Sequence, residues 1–131
     1  MTIAVDFDGT LSLGGVFPSP ETPNTPLIAA LKEAAANGHR LILWTCRTGE
    51  PLAAAVEWCE ELGLTFDAIN ANLPGRMPGT TDSRKVWADV YIDDKAVTWQ
   101  RFTDTPTMRA ERVRRGPPLH RPIQKRWRKL K

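Results

Sequence analysis

Two cysteines and two histidines among 131 residues leave little room for soft-metal or disulfide chemistry. Cys46 and Cys59 are too few and too far apart for a CxxC pair, and in the absence of a secretion signal they read as reduced thiols. His39 and His120 have no ligand spacing. No apolar stretch approaches the ~20 residues that span a bilayer. The N-terminus has no basic segment leading into an apolar one, because Asp6 and Asp8 interrupt it at once; no signal peptide is read, and the cytoplasm is the expected compartment. No internal repeat is found. A hydrophobic share of 41% is enough for the core of one ordinary domain and no more at this length.

Charge is short of one sign in each part of the chain. Residues 1–108 hold 8 Lys/Arg against 14 Asp/Glu, a net −6, whereas residues 109–131 hold 10 Lys/Arg against Glu111 alone, a net +9. The expected organisation is an acidic domain over 1–108 followed by a basic C-terminal extension over 109–131. Within the extension, Met108–Arg115 suits a short basic helix, Gly116-Pro117-Pro118 breaks the chain, and Leu119–Lys131 is a basic tail carrying Trp127. Such a tail fits contact with a nucleic-acid backbone plus base stacking, or it is a solvated extension.

What the chain does have is two pairs of carboxylates in telling places. Asp6-Phe7-Asp8-Gly9-Thr10 follows the apolar run Thr2–Val5, and Asp93-Asp94 follows Val90–Ile92. Each run reads as a buried strand of a parallel sheet, apolar on both alternating faces. Ligands in open α/β sheets sit beyond the carboxyl ends of the strands. Two acidic pairs delivered to one edge repel unless a cation lies between them, and hard oxygen ligands suit Mg²⁺.

The rest of the pattern alternates strand and helix. Strands are expected at Thr2–Phe7, His39–Thr45, Phe66–Asn70 and Val90–Ile92, with a last one near Val97–Phe102. One helix, capped by Thr25 with Pro26 at its first position, should run Leu27–Asn37 and stop at Gly38. A second, opened by Thr48 or Gly49, should run Glu50–Leu62 and stop at Gly63, with Ala54, Ala55, Trp58, Cys59 and Leu62 facing the sheet. Residues 9–24 read as an irregular loop, Ala71–Thr81 as another, and Asp82–Trp87 as a helical turn. Short links between alternating elements give a parallel α/β sheet with right-handed crossovers.

In chain order the polar landmarks are Asp6 and Asp8, Thr45, Lys85, then Asp93 and Asp94. This set resembles the four motifs of the haloacid dehalogenase-like (HAD) superfamily of phosphohydrolases, and the stretch from Gly38 to Asp94 is similar to small capless bacterial and phage members. The resemblance implies a single Rossmann-like domain with a central parallel sheet and no cap, acting as a Mg²⁺-dependent phosphomonoester hydrolase through an aspartyl-phosphate. On that pattern Asp6 is the nucleophile. Asp8 is the general acid and base, and its main-chain carbonyl a metal ligand. Thr45 binds the transferring phosphoryl group, and Lys85 neutralises charge between it and Asp6. Asp6, Asp8, Asp93 and Asp94 form the metal set, with the inner-shell place open between the last two.

Gly9, Thr10, Cys46, Arg47 and Asn70 are the candidate substrate contacts, with Asn72 beside them. Arg47 reads equally as a cleft residue or as half of a structural ion pair. Arg84 and Lys95 compete with Lys85 for its place. The hydrophobic loop Leu11–Pro20 is a candidate flap over an open site, or simply packs on the domain. Candidate substrates are nucleotides, sugar phosphates and polynucleotide ends, and a neighbouring subunit is a candidate cover for the site. Two other functional classes are consistent with parts of the pattern. One is a nucleic-acid-associated protein using the basic tail, with the domain as a platform. The other is a phospho-accepting receiver domain, which the order of the acidic motifs disfavours.

Overall fold

The computed structural model describes residues 1–76, 83–96 and 114. Along the chain these form β1 (Thr2–Val5), β2 (Ser12–Leu13), β3 (Thr22–Pro23), α1 (Thr25–Ala36), β4 (Arg40–Leu43), α2 (Gly49–Glu61), β5 (Ala68–Ile69) and β6 (Val90–Ile92). The chain divides into two units, Met1–Ala96 and Val97–Lys131; in the second, Arg114 is helical. The expected boundary at 108/109, the strand near Val97–Phe102, the loop residues 77–81 and the tail Leu119–Lys131 lie outside the described residues, as does the rest of the Met108–Arg115 helix. Among the described residues no helix is long and apolar enough to cross a membrane.

The first unit is an α/β fold around one parallel sheet of order β5-β4-β1-β6. β1 is buried throughout. Its side chains alternate between two apolar layers. On one face Ile3 and Val5 join Leu41, Leu43, Ile28, Leu31, Ala55, Cys59 and Leu64 beneath both helices. On the other, Ala4 and Ile42 meet Leu73 and Val86. Burial pushes the Cys59 thiol up to about 12, which leaves it an inert core group.

β1, β4 and β5 are shorter than expected because loop hydrogen bonds, from backbone and side chains, take over at their ends. The Phe7 carbonyl accepts from the amides of Thr10, Leu11 and Ser12, which turns the chain away two residues after β1. Past β4, the Asn70 side chain accepts from the Thr45 amide at 2.8 Å. The helical turn expected at 82–87 is not helical over its described residues. Instead the Tyr91 hydroxyl donates to the Val86 carbonyl at 2.6 Å, and Asn72 Oδ1 accepts from the Trp87 amide at 2.6 Å. β6 departs from the twice-buried strand that its composition suggests: Val90 and Tyr91 are exposed, and Ile92 alone reaches the main core.

Asn24, rather than Thr25, caps α1. Its Oδ1 accepts from the Leu27 amide at 3.4 Å while its Nδ2 donates to the Thr10 carbonyl at 2.9 Å, so one amide side chain serves both the helix and the loop after β1. α2 begins after Thr48 as expected, but Ala54 is exposed and Leu52 and Val56 pack in its stead. Residues 11–24, expected to be irregular, contain the antiparallel pair β2–β3. They form a hairpin and not a separate domain; the corresponding slot at 71–84 lies partly outside the described residues.

The core makes a direct prediction. Leu41 is fully buried between β1 and the helices. Leu41→Ala is expected to cost about 2–5 kcal/mol of stability, read by urea denaturation with an unchanged slope.

Candidate active site

The site follows from strand register. Val5 of β1 pairs with Ile92 of β6, so Asp6 and Asp93 emerge side by side from the carboxyl ends of adjacent parallel strands. The Asp6 amide continues the ladder to the Ile92 carbonyl at 2.9 Å. The chain runs from β1 outward to β4 and β5, then returns to β6 on the opposite side of β1. Asp6, Asp93 and Asp94 therefore stand at the reversal of strand order, where a crevice opens in such sheets.

Carboxylate oxygens of Asp6, Asp93 and Asp94 lie within 4.8 Å of one another. All the donors are hard oxygens, a set that fits Mg²⁺ or a similar cation. Burial, then the charges of Asp93 and Asp94, hold the Asp6 carboxyl above its ordinary range. The Phe7 amide and the Thr10 hydroxyl pull the other way. Asp94 is lowered, chiefly by its hydrogen bond from Lys95.

Thr10 and Gly9 hold this cluster together. The Thr10 hydroxyl donates to Asp6 Oδ2 at 3.3 Å and accepts from the Asp94 amide at 3.0 Å, so one buried side chain ties the two acidic loops. Gly9 has φ +79, and a Cβ there would stand 2.9 Å from Asp94 Cγ and closer still to its carboxylate oxygen. Only glycine combines that backbone with that approach.

Asp8 goes elsewhere. Arg47 Nε and Nη2 hold its two carboxylate oxygens at 2.8 and 2.7 Å, so its side chain is not part of the convergent acidic trio. Arg47 itself is buried, and Nη1 also donates to the Pro18 and Pro51 carbonyls at 2.7 and 3.1 Å. Of the two roles open to Arg47, the structure realises the ion pair; its guanidinium is engaged by protein rather than presented to a ligand. Asn70 is likewise committed. Its Oδ1 binds the Thr45 amide and its Nδ2 donates to the Arg47 carbonyl at 3.2 Å. With φ +49 it occupies a left-handed conformation that asparagine tolerates. It braces the loop carrying Thr45 instead of facing a substrate. Asn72, also buried, joins residues 83–87 through Ser83 and Trp87.

The expected lysine, Lys85, does not reach the acidic cluster. Lys85 is exposed, and its Nζ lies 5.2 Å from the centre of the Tyr91 ring. Among the described residues, the ammonium that meets the acidic cluster is that of Lys95, 2.8 Å from Asp94 Oδ2. Its place directly after the Asp93-Asp94 pair was the available signal. Lys85 was expected from the order of the motifs in the resemblance, with Arg84 and Lys95 as its competitors.

A cleft of about 670 Å³ opens beside Asp8 and Gly9, walled by Phe17, Cys46, Arg47 and Lys95 among others. Val16 and Phe17 stand 84% and 64% exposed at the tip of the β2–β3 hairpin, whereas Leu11 is fully buried. The flap and packing readings of this segment thus divide between its residues.

The chain is 37% identical to a conserved protein from Bacteroides thetaiotaomicron of solved structure, with a TM-score of 0.65 over 90% of this chain and 93% of that one. At that identity and coverage the chain belongs to the same family as that protein. No family model matches the chain, and no curated protein matches it.

The crowding of acids predicts a pH-dependent metal-free state. A carboxyl held above its ordinary value binds its proton more tightly folded than unfolded. Asp6 therefore costs stability as pH rises from 3.8, its ordinary value, through the higher folded value. Asp6→Asn removes that cost, so in chelator at neutral pH the variant is expected to melt a few degrees above wild type. Added Mg²⁺ should raise the melting temperature of wild type and leave the variant nearly unmoved. Equal shifts in both proteins would place the cation elsewhere.

Proposed function

We propose that the chain is a Mg²⁺-dependent phosphomonoester hydrolase of the HAD type, with a Rossmann-like domain, working through an aspartyl-phosphate on Asp6. The observation that carries this reading is the convergence of Asp6, Asp93 and Asp94 at the carboxyl edge of the sheet, with Asp8 two residues beyond Asp6. Asp6, Asp93 and Asp94 would hold the cation. When bound, Mg²⁺ supplies positive charge that offsets the oxygens of the phosphoryl group.

In the first half-reaction an Asp6 carboxylate oxygen bonds to phosphorus as the ester P–O bond breaks, and Asp8 gives a proton to the leaving oxygen. In the second, Asp8 takes a proton from the water whose oxygen attacks phosphorus. The P–O bond to Asp6 breaks, and phosphate and the free carboxylate are released. Thr45, two residues past β4 and with its amide held by Asn70, would bind a phosphoryl oxygen, and Lys95 would take the neutralising role first assigned to Lys85.

Asp6→Asn is expected to abolish Mg²⁺-dependent hydrolysis of p-nitrophenyl phosphate without unfolding the chain. Lys95→Ala should lower kcat by roughly 10–100-fold, as for loss of one stabilising donor, while Lys85→Ala changes it by less than about twofold. Wild-type turnover in Asp6→Asn would remove the proposed nucleophile.

Within this class, the +9 charge of residues 109–131 favours a polyanionic substrate such as a polynucleotide end. Deleting residues 119–131 should spare p-nitrophenyl phosphate hydrolysis and weaken binding of phosphorylated oligonucleotides. The deletion removes six cations, so the salt slope should flatten by up to ~5 units. An unchanged slope would assign the tail no part in binding.

A further inference from the structure

Arg47 makes more bonds than an ion pair needs. Its side chain is 2% exposed, yet its nitrogens make four hydrogen bonds: two to Asp8, one to the Pro18 carbonyl in the hairpin and one to the Pro51 carbonyl in α2. The guanidinium carbon lies over two rings, 4.7 Å from the centre of Phe7 and 5.0 Å from that of Phe17. Its backbone is set independently, since its amide donates to Thr45 Oγ1 at 3.2 Å and its carbonyl accepts from Asn70.

A guanidinium is rigid and planar, so four hydrogen bonds along its edge together with the two rings against it fix the direction of its fork. Here the fork points at Asp8, whose side chain is 51% exposed and keeps lone pairs free on the cleft side. Phe17 and Pro18 supply one ring and one acceptor, and both belong to the loop between β2 and β3. If that loop lifts, Arg47 loses a ring and a carbonyl together. A buried cation stripped of partners is costly, so it turns toward water and takes the Asp8 carboxylate with it.

We propose that Arg47 is a positioning residue that couples the flap at 14–21 to Asp8, so that the proton-transferring carboxylate is aligned only while Phe17 and Pro18 are seated. The flap then does more than wall the cleft. A substrate that holds it down sets Asp8 in place, and an empty site with the flap raised lacks an aligned acid. The kinetic consequences rest on the phosphatase reading above; the mechanical link between Asp8 and the flap does not.

Two measurements on the full chain separate these. In hydrogen exchange, Asp8→Asn should speed exchange of the Ser19 and Glu21 amides, which bond within the hairpin at 3.0 and 3.2 Å, by at least about tenfold, with α1 amides unchanged. Unchanged flap rates, or a uniform change across the sheet and helices, overturn the coupling.

In kinetics, Arg47→Lys keeps the charge but loses the fork, and Phe17→Ala trims an exposed ring with little risk to folding. Both should lose kcat at least ~10-fold more on glycerol 2-phosphate, which needs a proton on its leaving oxygen, than on p-nitrophenyl phosphate, which does not. KM should stay within about threefold. Equal losses on the two esters with a raised KM would make Arg47 a phosphate ligand and overturn the proposal. If wild type hydrolyses neither ester, the phosphatase reading fails while the exchange measurement still decides the coupling.

Discussion

The parallel pairing of β1 with a neighbour on each side is the constraint on which everything else depends. Because β4 and β6 both run alongside β1, all three carboxyl ends reach one edge. The register of Val5 with Leu43 and Ile92 sets the following residues level with one another. Asp6, Trp44-Thr45 and Asp93-Asp94 are brought together by hydrogen-bond geometry that no single side chain controls. The apolar layers that bury β1 on both faces supply the driving force, and the acidic edge bears an electrostatic cost. That cost appears in the raised Asp6 carboxyl. It is the expected signature of a site that favours a cation.

Around this edge, side chains substitute for regular backbone pairing. Thr10 bridges the loops after β1 and β6, Asn70 holds the loop after β4, and Asn24 joins the loop after β1 to α1. Each is a short polar residue with both donor and acceptor capacity, and each makes two bonds, at least one of them to a partner far away in sequence. The loops of the cleft are therefore tethered, which suits a site that must hold like charges in close register. The hairpin tip is the exception. Val16 and Phe17 are exposed, and the segment is anchored to the site through the Arg47 contacts with Phe17 and Pro18.

Arg47 and Lys95 divide the positive charge near the cleft in different ways. Arg47 is buried and matched by Asp8, whose own side chain is half-exposed, so it is the guanidinium that would be costly without its partner. Lys95 is exposed, and its bond to Asp94 is a solvent-screened contact that yields readily to an arriving anion. One cation is enclosed by four protein acceptors, and the other is exposed with a single carboxylate partner.

The sequence by itself determined what depends on short-range pattern. Apolar runs placed the four strands of the sheet, and both helices lie within a few residues of their expected bounds, because burial and capping act over one or two turns. The DxD and DD pairs were legible for the same reason: each directly follows its strand, so predicting the strand predicts where the acids emerge. Only the tertiary structure decided which charge meets which. Asp8 finds Arg47 across 39 positions, Asp94 takes Lys95 in place of Lys85, and Asn70 turns inward to brace a backbone. The β2–β3 hairpin is held by pairs too short to leave a period of two in the sequence. Such choices depend on orientation and desolvation at distances that the linear pattern does not encode, and small rotations of a planar guanidinium or amide settle them once the sheet has fixed the backbone.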